Sequence, residues 1–341
     1  GTYSQMFNSL NKFKKLPLNW KKELFNHDCK RHNKFKMKKI LIVGGTGFIG
    51  YHLAKFCLKK KYKVFSISRS RPSKPRRLNK VKYLYVDITK KNLLEKKIKH
   101  HLDMTYVVNL GGNVDHDNYN KVYSSHFTGL KNLSNLFLRS GIKKFIQVGS
   151  SMEYGRAKSP QIERNVSKPI SYYGRAKYKS TKHLIALNKK YLFPSIVLRP
   201  YQIYGPNQEK NRIIPFVIYS CLKNKRFPCS NGEQCRDFLY ITDFIQAIDK
   251  CLHSTSAING EIINIGYGGY FKVKKIINLI KLKINKGIPE FGKLKLRKEE
   301  NLVTYPSVLK SKKLINWKPT IKFKKGIMQT INFYKNKIWK S

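Results

Sequence analysis

Acidic residues are scarce in this chain. Asp and Glu together number 18 against 71 Lys and Arg in 341 residues, a formal net charge of +53. Such a surplus raises nucleic acid or a membrane surface as partners. The cations are spread over every segment, however, and Asn, Ile, Tyr and Phe rise with lysine. That pattern reads as compositional background, and nucleic acid is not the expected partner. Long apolar runs are also missing. None approaches the ~18 residues needed to span a bilayer, so no membrane segment is expected. Cysteine occurs six times (Cys29, Cys57, Cys221, Cys229, Cys235, Cys251), with no CxxC and no zinc-type spacing. This excludes a disulfide scaffold at this size and points to reduced thiols in a cytoplasmic setting. The nine histidines form no HExxH pair, and no metal site is expected. The most informative gap is local: no acid lies anywhere between Gly50 and Asp87.

Just before that gap, an apolar run at 40–43 stops at Gly44-Gly45-Thr46-Gly47-Phe48-Ile49-Gly50, and helical spacing follows to residue 58. Strand, glycine turn and helix in this order form a phosphate cradle. One glycine allows positive φ, one allows close approach of a pyrophosphate, and one allows helix and strand to pack tightly. The helix N-terminus supplies free N–H groups to the phosphates. A second strand at 63–68 ends at Ser68-Arg69-Ser70-Arg71, where NAD binders carry the acid that holds the ribose 2′-hydroxyl. A hydroxyl with guanidinium groups suits a 2′-phosphate. The expected cofactor is therefore NADP, with NAD the second choice. A third strand at 82–86 runs into Asp87 and Ile88, and a fourth at 106–109 into Leu110, Gly111 and Gly112. Residues 118–140 read as one long helix, and 145–149 as a fifth strand. The alternation predicts an α/β fold, a Rossmann-type doubly wound parallel sheet.

The fifth strand ends at Ser150-Ser151. Further on, Tyr173 and Lys177 stand four apart on a helix running to about residue 190, so they share one face. A lysine ammonium beside a phenol is expected to lower the phenol pKa from its usual ~10. Ser150, Tyr173 and Lys177 together can move a proton on or off a carbinol oxygen, while a nicotinamide moves a hydride at its carbon. Tyr172 has no lysine four positions on, because residue 176 is Ala.

With these motifs in place, the chain over about 37–335 resembles the extended short-chain dehydrogenase/reductases of the nucleotide-sugar (NAD-dependent) epimerase/dehydratase family. The likeness rests on the glycine loop, Asp87, Asn109-Leu110-Gly111-Gly112, Ser150 to Gly155, Tyr173 to Lys177, Leu198 to Pro206, Arg236 to Asp243 and Trp317-Lys318-Pro319. It implies a Rossmann domain over 37–195 and a smaller substrate lobe over 196–341, some of whose segments return to the sheet. The basic stretch 1–36 is expected to be a disordered extension. The resemblance also implies that Thr46, Phe48 and Ile49 join the cofactor site with the neighbouring glycines. A nucleotide-diphosphate sugar would bind through Ser151, Arg199, Tyr204 and Arg236, the last on the diphosphate. A homodimer through two helices, about 118–140 and 172–190, follows as well.

Departures from the family pattern narrow the chemistry. The Asp and Glu that serve water elimination in the dehydratases are replaced by Ser151 and Met152, and Glu153 stands one place off that register. His126 and Gln202 each take the place of a usual Asn. Two reactions then fit: reduction of a 4-keto sugar, and 4-epimerisation of the UDP-glucose 4-epimerase kind. The basic end of the second strand tilts the expectation to a reductase. A non-catalytic RNA-binding relative of the fold is a distant third reading.

Overall fold

The computed structural model describes residues 37–112, 118–296 and 301–338. The expected disordered extension at 1–36 lies outside them. From Lys39 on, the chain is built on a seven-stranded sheet. Its strands are β1 (Lys39–Val43), β2 (Lys63–Ser68), β3 (Val81–Tyr85), β4 (Tyr106–Asn109), β5 (Lys144–Val148), β6 (Ser195–Pro200) and β11 (Ile262–Ile265). They lie in the order β11-β6-β5-β4-β1-β2-β3, and every pairing is parallel. The chain winds out from β1 in both directions, which makes the sheet doubly wound as expected.

Alternate residues of each strand enter separate cores, as the two-residue period of a strand requires. On one face Ile40, Ile42, Val64, Val108, Ile146 and Leu198 pack with α1 (Phe48–Lys59) and α7 (Ile241–Leu252). On the other, Leu41, Val43, Phe65, Val107, Phe145 and Val197 meet α2 (Lys91–Ile98), α4 (Gly129–Phe137) and α5 (Tyr172–Tyr191). Burial on both faces explains why these strands read as continuous apolar runs.

The helix expected over 118–140 is interrupted. Its first part, α3 (Tyr119–Tyr123), passes through a π turn at Ser124–Thr128 into α4. Gly129 follows the turn because Ile88 fills the space a Cβ would need, 2.6 Å away. The wide turn directs the buried His126 inward, a consequence no periodicity discloses.

After β6 the chain leaves the sheet and makes a smaller set of elements. Short strands β7 (Gln202–Tyr204) and β10 (Phe238–Tyr240) pair with each other, as do β8 (Arg226–Pro228) and β13 (Ile288–Glu290). Strand β9 (Cys235–Arg236) lies between β12 (Phe271–Lys272) and β14 (Val303–Thr304). Helices α6 (Ile213–Leu222), α8 (Val273–Ile284) and α10 (Phe323–Ile338) pack together here, while α9 (Leu309–Ile315) rests on β11. Buried Asp243 ties the C-terminal run to α7. Its side chain accepts bonds from Thr320 Oγ1 (2.6 Å) and Ile321 N (2.9 Å), and its carbonyl accepts from Trp317 Nε1 (3.1 Å).

Candidate active site

Five of the expected site segments follow the carboxyl ends of neighbouring strands, where a doubly wound sheet binds ligands. The glycine loop follows β1. Gly44 has φ of +83°, and an added Cβ there would stand 3.2 Å from Gly111 N, so the loop lies directly against the turn after β4. An added Cβ on Gly50 would meet Gly44 O at 2.3 Å, so the start of α1 closes on the loop. Gly47, in contrast, faces open space apart from Gly44 O at 3.4 Å. Helix α1 has no side-chain N-cap and no acid in its first turn. Free amides, a positive helix end and room above Gly47 fit a pyrophosphate. Thr46, Phe48 and Ile49 belong to this loop and helix start. After β3, Asp87 Oδ1 accepts from Thr89 N at 2.9 Å, and Ile88 is buried. After β4, Asn109 Oδ1 accepts from Gly111 N at 3.1 Å while its amide donates to Gln147 Oε1 at 2.8 Å, which holds Leu110 and Gly111 in place.

After β2, the Ser68 hydroxyl donates to Ile67 O at 2.8 Å, and Arg69 is exposed. Neither is engaged in a way that distinguishes a 2′-phosphate from a 2′-hydroxyl.

Ser150 ends β5. Its Oγ accepts from Met152 N at 3.1 Å, and a side-chain hydrogen bond links it to Tyr173. Tyr173 and Lys177 lie in the first turns of α5, which Ser171 caps by accepting from Gly174 N at 3.0 Å. The His126 ring packs edge-on against Tyr173, with centroids 5.0 Å apart. Lys177 Nζ sits 5.7 Å from the Tyr173 ring centre and donates to Val148 O at 2.7 Å. The three sequence-selected residues are therefore together. Their electrostatics differ from expectation. Burial pushes the Tyr173 hydroxyl up to about 12, with the Ser150 bond opposing. Burial also pushes Lys177 down to about 8, with the Glu153 charge opposing. The expected lowering of the phenol by the ammonium is not found: burial dominates both groups, and what opposes it at Tyr173 is the Ser150 bond and the Arg212 charge.

Arg199 lies elsewhere than expected. It is 1% exposed and pairs with Glu153, itself 0% exposed, through Nη2 (2.7 Å) and Nε (3.0 Å) on Glu153 Oε2. Thr181 Oγ1 donates to the same oxygen at 2.8 Å, and Ser150 N donates to Oε1 at 2.9 Å. The pair thus sits behind Ser150 and holds it, out of reach of a substrate. Tyr204 is likewise buried. It packs against Phe238, Tyr240 and Phe323 and donates to Phe323 O at 3.2 Å. Neither presents a side chain for sugar binding as the resemblance had implied.

Arg236 lines a cleft of about 400 Å³ formed by the segments around β7, α6, β9 and α8. Its Nη1 donates to Cys235 O at 2.9 Å and Leu302 O at 3.2 Å. Arg212 and Lys295 also line the cleft, with Gln202, Asn211, Ser230 and Gln234, and no acid is among the described residues that line it. At the Tyr173 hydroxyl the Arg212 charge acts against burial, as a lesser effect than the Ser150 bond. Arg212 and Lys295 escaped notice in the sequence because the chain is basic everywhere. His126 was visible there only as a departure.

A Rossmann sheet with a glycine loop, a Ser-Tyr-Lys cluster and a cationic cleft defines a dinucleotide-dependent enzyme. The model of the NAD dependent epimerase/dehydratase family matches residues 40–266, and the chain belongs to that family. A UDP-glucuronate 4-epimerase of Thermodesulfobacterium geofontis is 29% identical over 318 residues, covering 87% of this chain and 96% of that protein. The dTDP-D-glucose 4,6-dehydratase of Mus musculus is 27% identical over 338 residues, covering 89% and 91%. Among solved structures, UDP-glucuronic acid 4-epimerase from Bacillus cereus, in complex with UDP-glucuronic acid and NAD, superposes with TM-score 0.80 at 25% identity, covering 87% of this chain and 99% of that one. The preference for NADP and for a reductase finds no support among these relatives, and the solved neighbour carries NAD. Among the described residues no helix is long and apolar enough to cross a membrane.

Proposed function

We propose that the protein is a nucleoside diphosphate sugar 4-epimerase that uses NAD. The observation that carries this reading is the Ser150-Tyr173-Lys177 cluster, whose neighbouring acid is held by other partners. Dehydration would need an acid and a base to take a proton from one sugar carbon and expel water from the next. The nearby acid, Glu153, has both oxygens committed to Ser150, Thr181 and Arg199. Oxidation at carbon 4 followed by return of the same hydride needs no such pair. The 4-epimerases among the relatives support the same choice.

The glycine loop would hold the pyrophosphate of NAD, Ser68 and Arg69 its adenosine ribose end, and Asp87 and Ile88 the adenine. Leu110 and Gly111 would line its middle, and Lys177 its nicotinamide ribose. Once bound, the nicotinamide would supply a positively charged, reversible hydride acceptor. Ser150 and Tyr173 hold the oxygen on carbon 4, and Tyr173 takes its proton as phenolate, a form that the positive charge of a bound nicotinamide would favour against the burial that raises the free hydroxyl. The ketone then turns its other face, and Tyr173 returns the proton as carbon 4 is inverted. Ser151 borders the reacting end. Arg236 and Lys295 neutralise the diphosphate at the other end of the cleft. His126 packs on Tyr173 and keeps its ring in place.

The test is direct. Purified protein with NAD and either UDP-glucose or UDP-glucuronate is followed by proton NMR for the 4-epimer. Tyr173→Phe should lower kcat by ~10²–10⁴-fold. Undiminished turnover in that variant would refute the assignment of Tyr173. NADPH-dependent consumption of a 4-keto sugar without epimer formation would restore the reductase.

A homodimer through α3, α4 and α5 belongs to the same proposal. Tyr119 and Tyr172 are each 46% exposed on this face and lie with Tyr123, Arg175 and Lys179 around one concavity.

A further inference from the structure

One wall of the cleft is held in place from the cofactor side of the molecule. Gln208, Asn211 and Arg212 line the cleft. They lie within or just after a short segment, Pro206 to Glu209, on which bonds from distant elements converge. His52 Nε2, in the second turn of α1, donates to Pro206 O at 2.8 Å. Tyr334 on α10 donates to Gln208 O at 2.8 Å. The firmest hold comes from the short helical turn Lys74–Arg76 in the connection between β2 and β3. Arg76 Nη2 and Nε donate to Asn207 O at 2.6 and 3.2 Å, and its Nη1 donates to Glu209 Oε1 at 2.8 Å. Asn207 Nδ2 donates in return to Pro75 O at 3.1 Å. Asn207 is 7% exposed and has φ of +69°, so the chain turns sharply there. It then runs to Arg212, whose amide donates to Glu209 O at 3.1 Å just before α6 begins.

Arg76 is not among the described residues that line the cleft, so it acts on a ligand there only through the segment it holds. Its two contacts differ in weight. The Glu209 side chain is 46% exposed, and an ion pair open to water contributes little. The two guanidinium nitrogens on the carbonyl of buried Asn207 make charge-assisted bonds, the stronger kind, in a place that water reaches poorly. We propose that Arg76 is a positioning residue for the substrate: by clamping the Asn207 carbonyl it sets the cleft wall that receives the nucleoside diphosphate. The inference rests on the reading of this cleft as the diphosphate site. It also joins the two halves of the enzyme, because the connection that carries Arg76 starts at Ser68 and Arg69, on the cofactor side.

Arg76→Met should weaken calorimetric binding of UDP about tenfold. KM for the sugar nucleotide should rise alike, with kcat and the Kd of NAD within about twofold of wild type. Arg76→Lys should recover part of the loss, since charge survives without the fork. Glu209→Gln should change UDP binding by about twofold at most. Hydrogen exchange of the full chain without ligand reads the wall directly. The peptide 208–216 holds the bonded amides of Arg212 and Phe216. It should exchange about tenfold faster in Arg76→Met, while peptides from β1 exchange as in wild type. Unchanged UDP affinity in Arg76→Met would overturn the inference, and so would a fall in kcat with KM unchanged. A loss in Glu209→Gln as large as in Arg76→Met would refute the clamp on Asn207. Faster exchange throughout the chain, β1 included, would reduce Arg76 to a general structural role and overturn the inference too. A wild type that binds no UDP would instead overturn the cleft reading. The exchange of 208–216 then decides on Arg76: faster in Arg76→Met supports the clamp, and unchanged overturns it.

Discussion

Replacing Glu153 by Gln should destabilise the protein more than any change on its surface. Glu153 and Arg199 are 0% and 1% exposed, and the carboxylate has four donors: Ser150 N, Thr181 Oγ1 and two guanidinium nitrogens. The Arg199 guanidinium also lies 4.4 Å from the centre of the Tyr154 ring, and the Tyr154 hydroxyl donates to Asn264 Oδ1 at 2.7 Å. Removing one charge leaves the other buried and uncompensated, which costs ~3–5 kcal/mol. The unit from Lys39 to Ser341 has about 300 residues, and ~2.1 cal/mol/K per residue gives an unfolding entropy of ~0.6 kcal/mol/K. The expected fall in Tm is therefore ~5–8 °C. Arg199→Met should cost a similar amount. The double variant should cost roughly as much as one of them alone, because it leaves no orphaned charge. Scanning calorimetry of the four proteins measures this cycle. Additive losses, or single losses under ~2 °C, would refute the claim that the two groups form one buried unit. A second reading comes from kinetics. Ser150 N would lose its charged acceptor, so kcat should fall in Glu153→Gln even at temperatures where the fold is intact.

Two further outcomes follow from the charge distribution. Burial holds Lys177 at about 8 instead of its usual 10.5, so its charged form costs the fold ~3 kcal/mol. That cost is complete below about pH 8, declines as pH rises, and is gone above 10.5. Lys177→Met should thus melt several degrees higher than wild type at pH 7 without ligand, with the gap closing by pH 10, while turnover is lost; a lower Tm at pH 7 would refute the sign. On the helix face, α3, α4 and α5 carry Lys121, Lys131, Arg175, Lys179 and Lys182 and no acid. A two-fold axis there sets like charge against like, so dimerisation should strengthen between ~50 and ~300 mM salt by sedimentation, as screening predicts. A dimer that loosens with salt would exclude this face.

The legible parts of the chain were those set by local rules. The glycine loop, the strand ends and the Tyr173-Lys177 spacing each follow from near neighbours in sequence, through backbone freedom, strand period and helix period. The doubly wound sheet followed from the alternation of such pieces. Arg199 and Tyr204 show where local reading ends. Both sit in motifs that suggested ligand contact, yet each is engaged by residues far along the chain, Glu153 and Phe323, and only the folded packing brings these together. Arg212 shows the converse. In a chain with 71 Lys and Arg its position carried no local signal, and only the folded chain brings it into one cleft with Arg236 and Lys295. The proton affinities of Tyr173 and Lys177 were also settled by tertiary structure, since desolvation depends on what surrounds a group in space. The sequence by itself thus determined the frame and the reacting cluster, through short-range geometry. Which charges are sealed and which face the substrate was decided by burial, a property that exists only once distant segments have met.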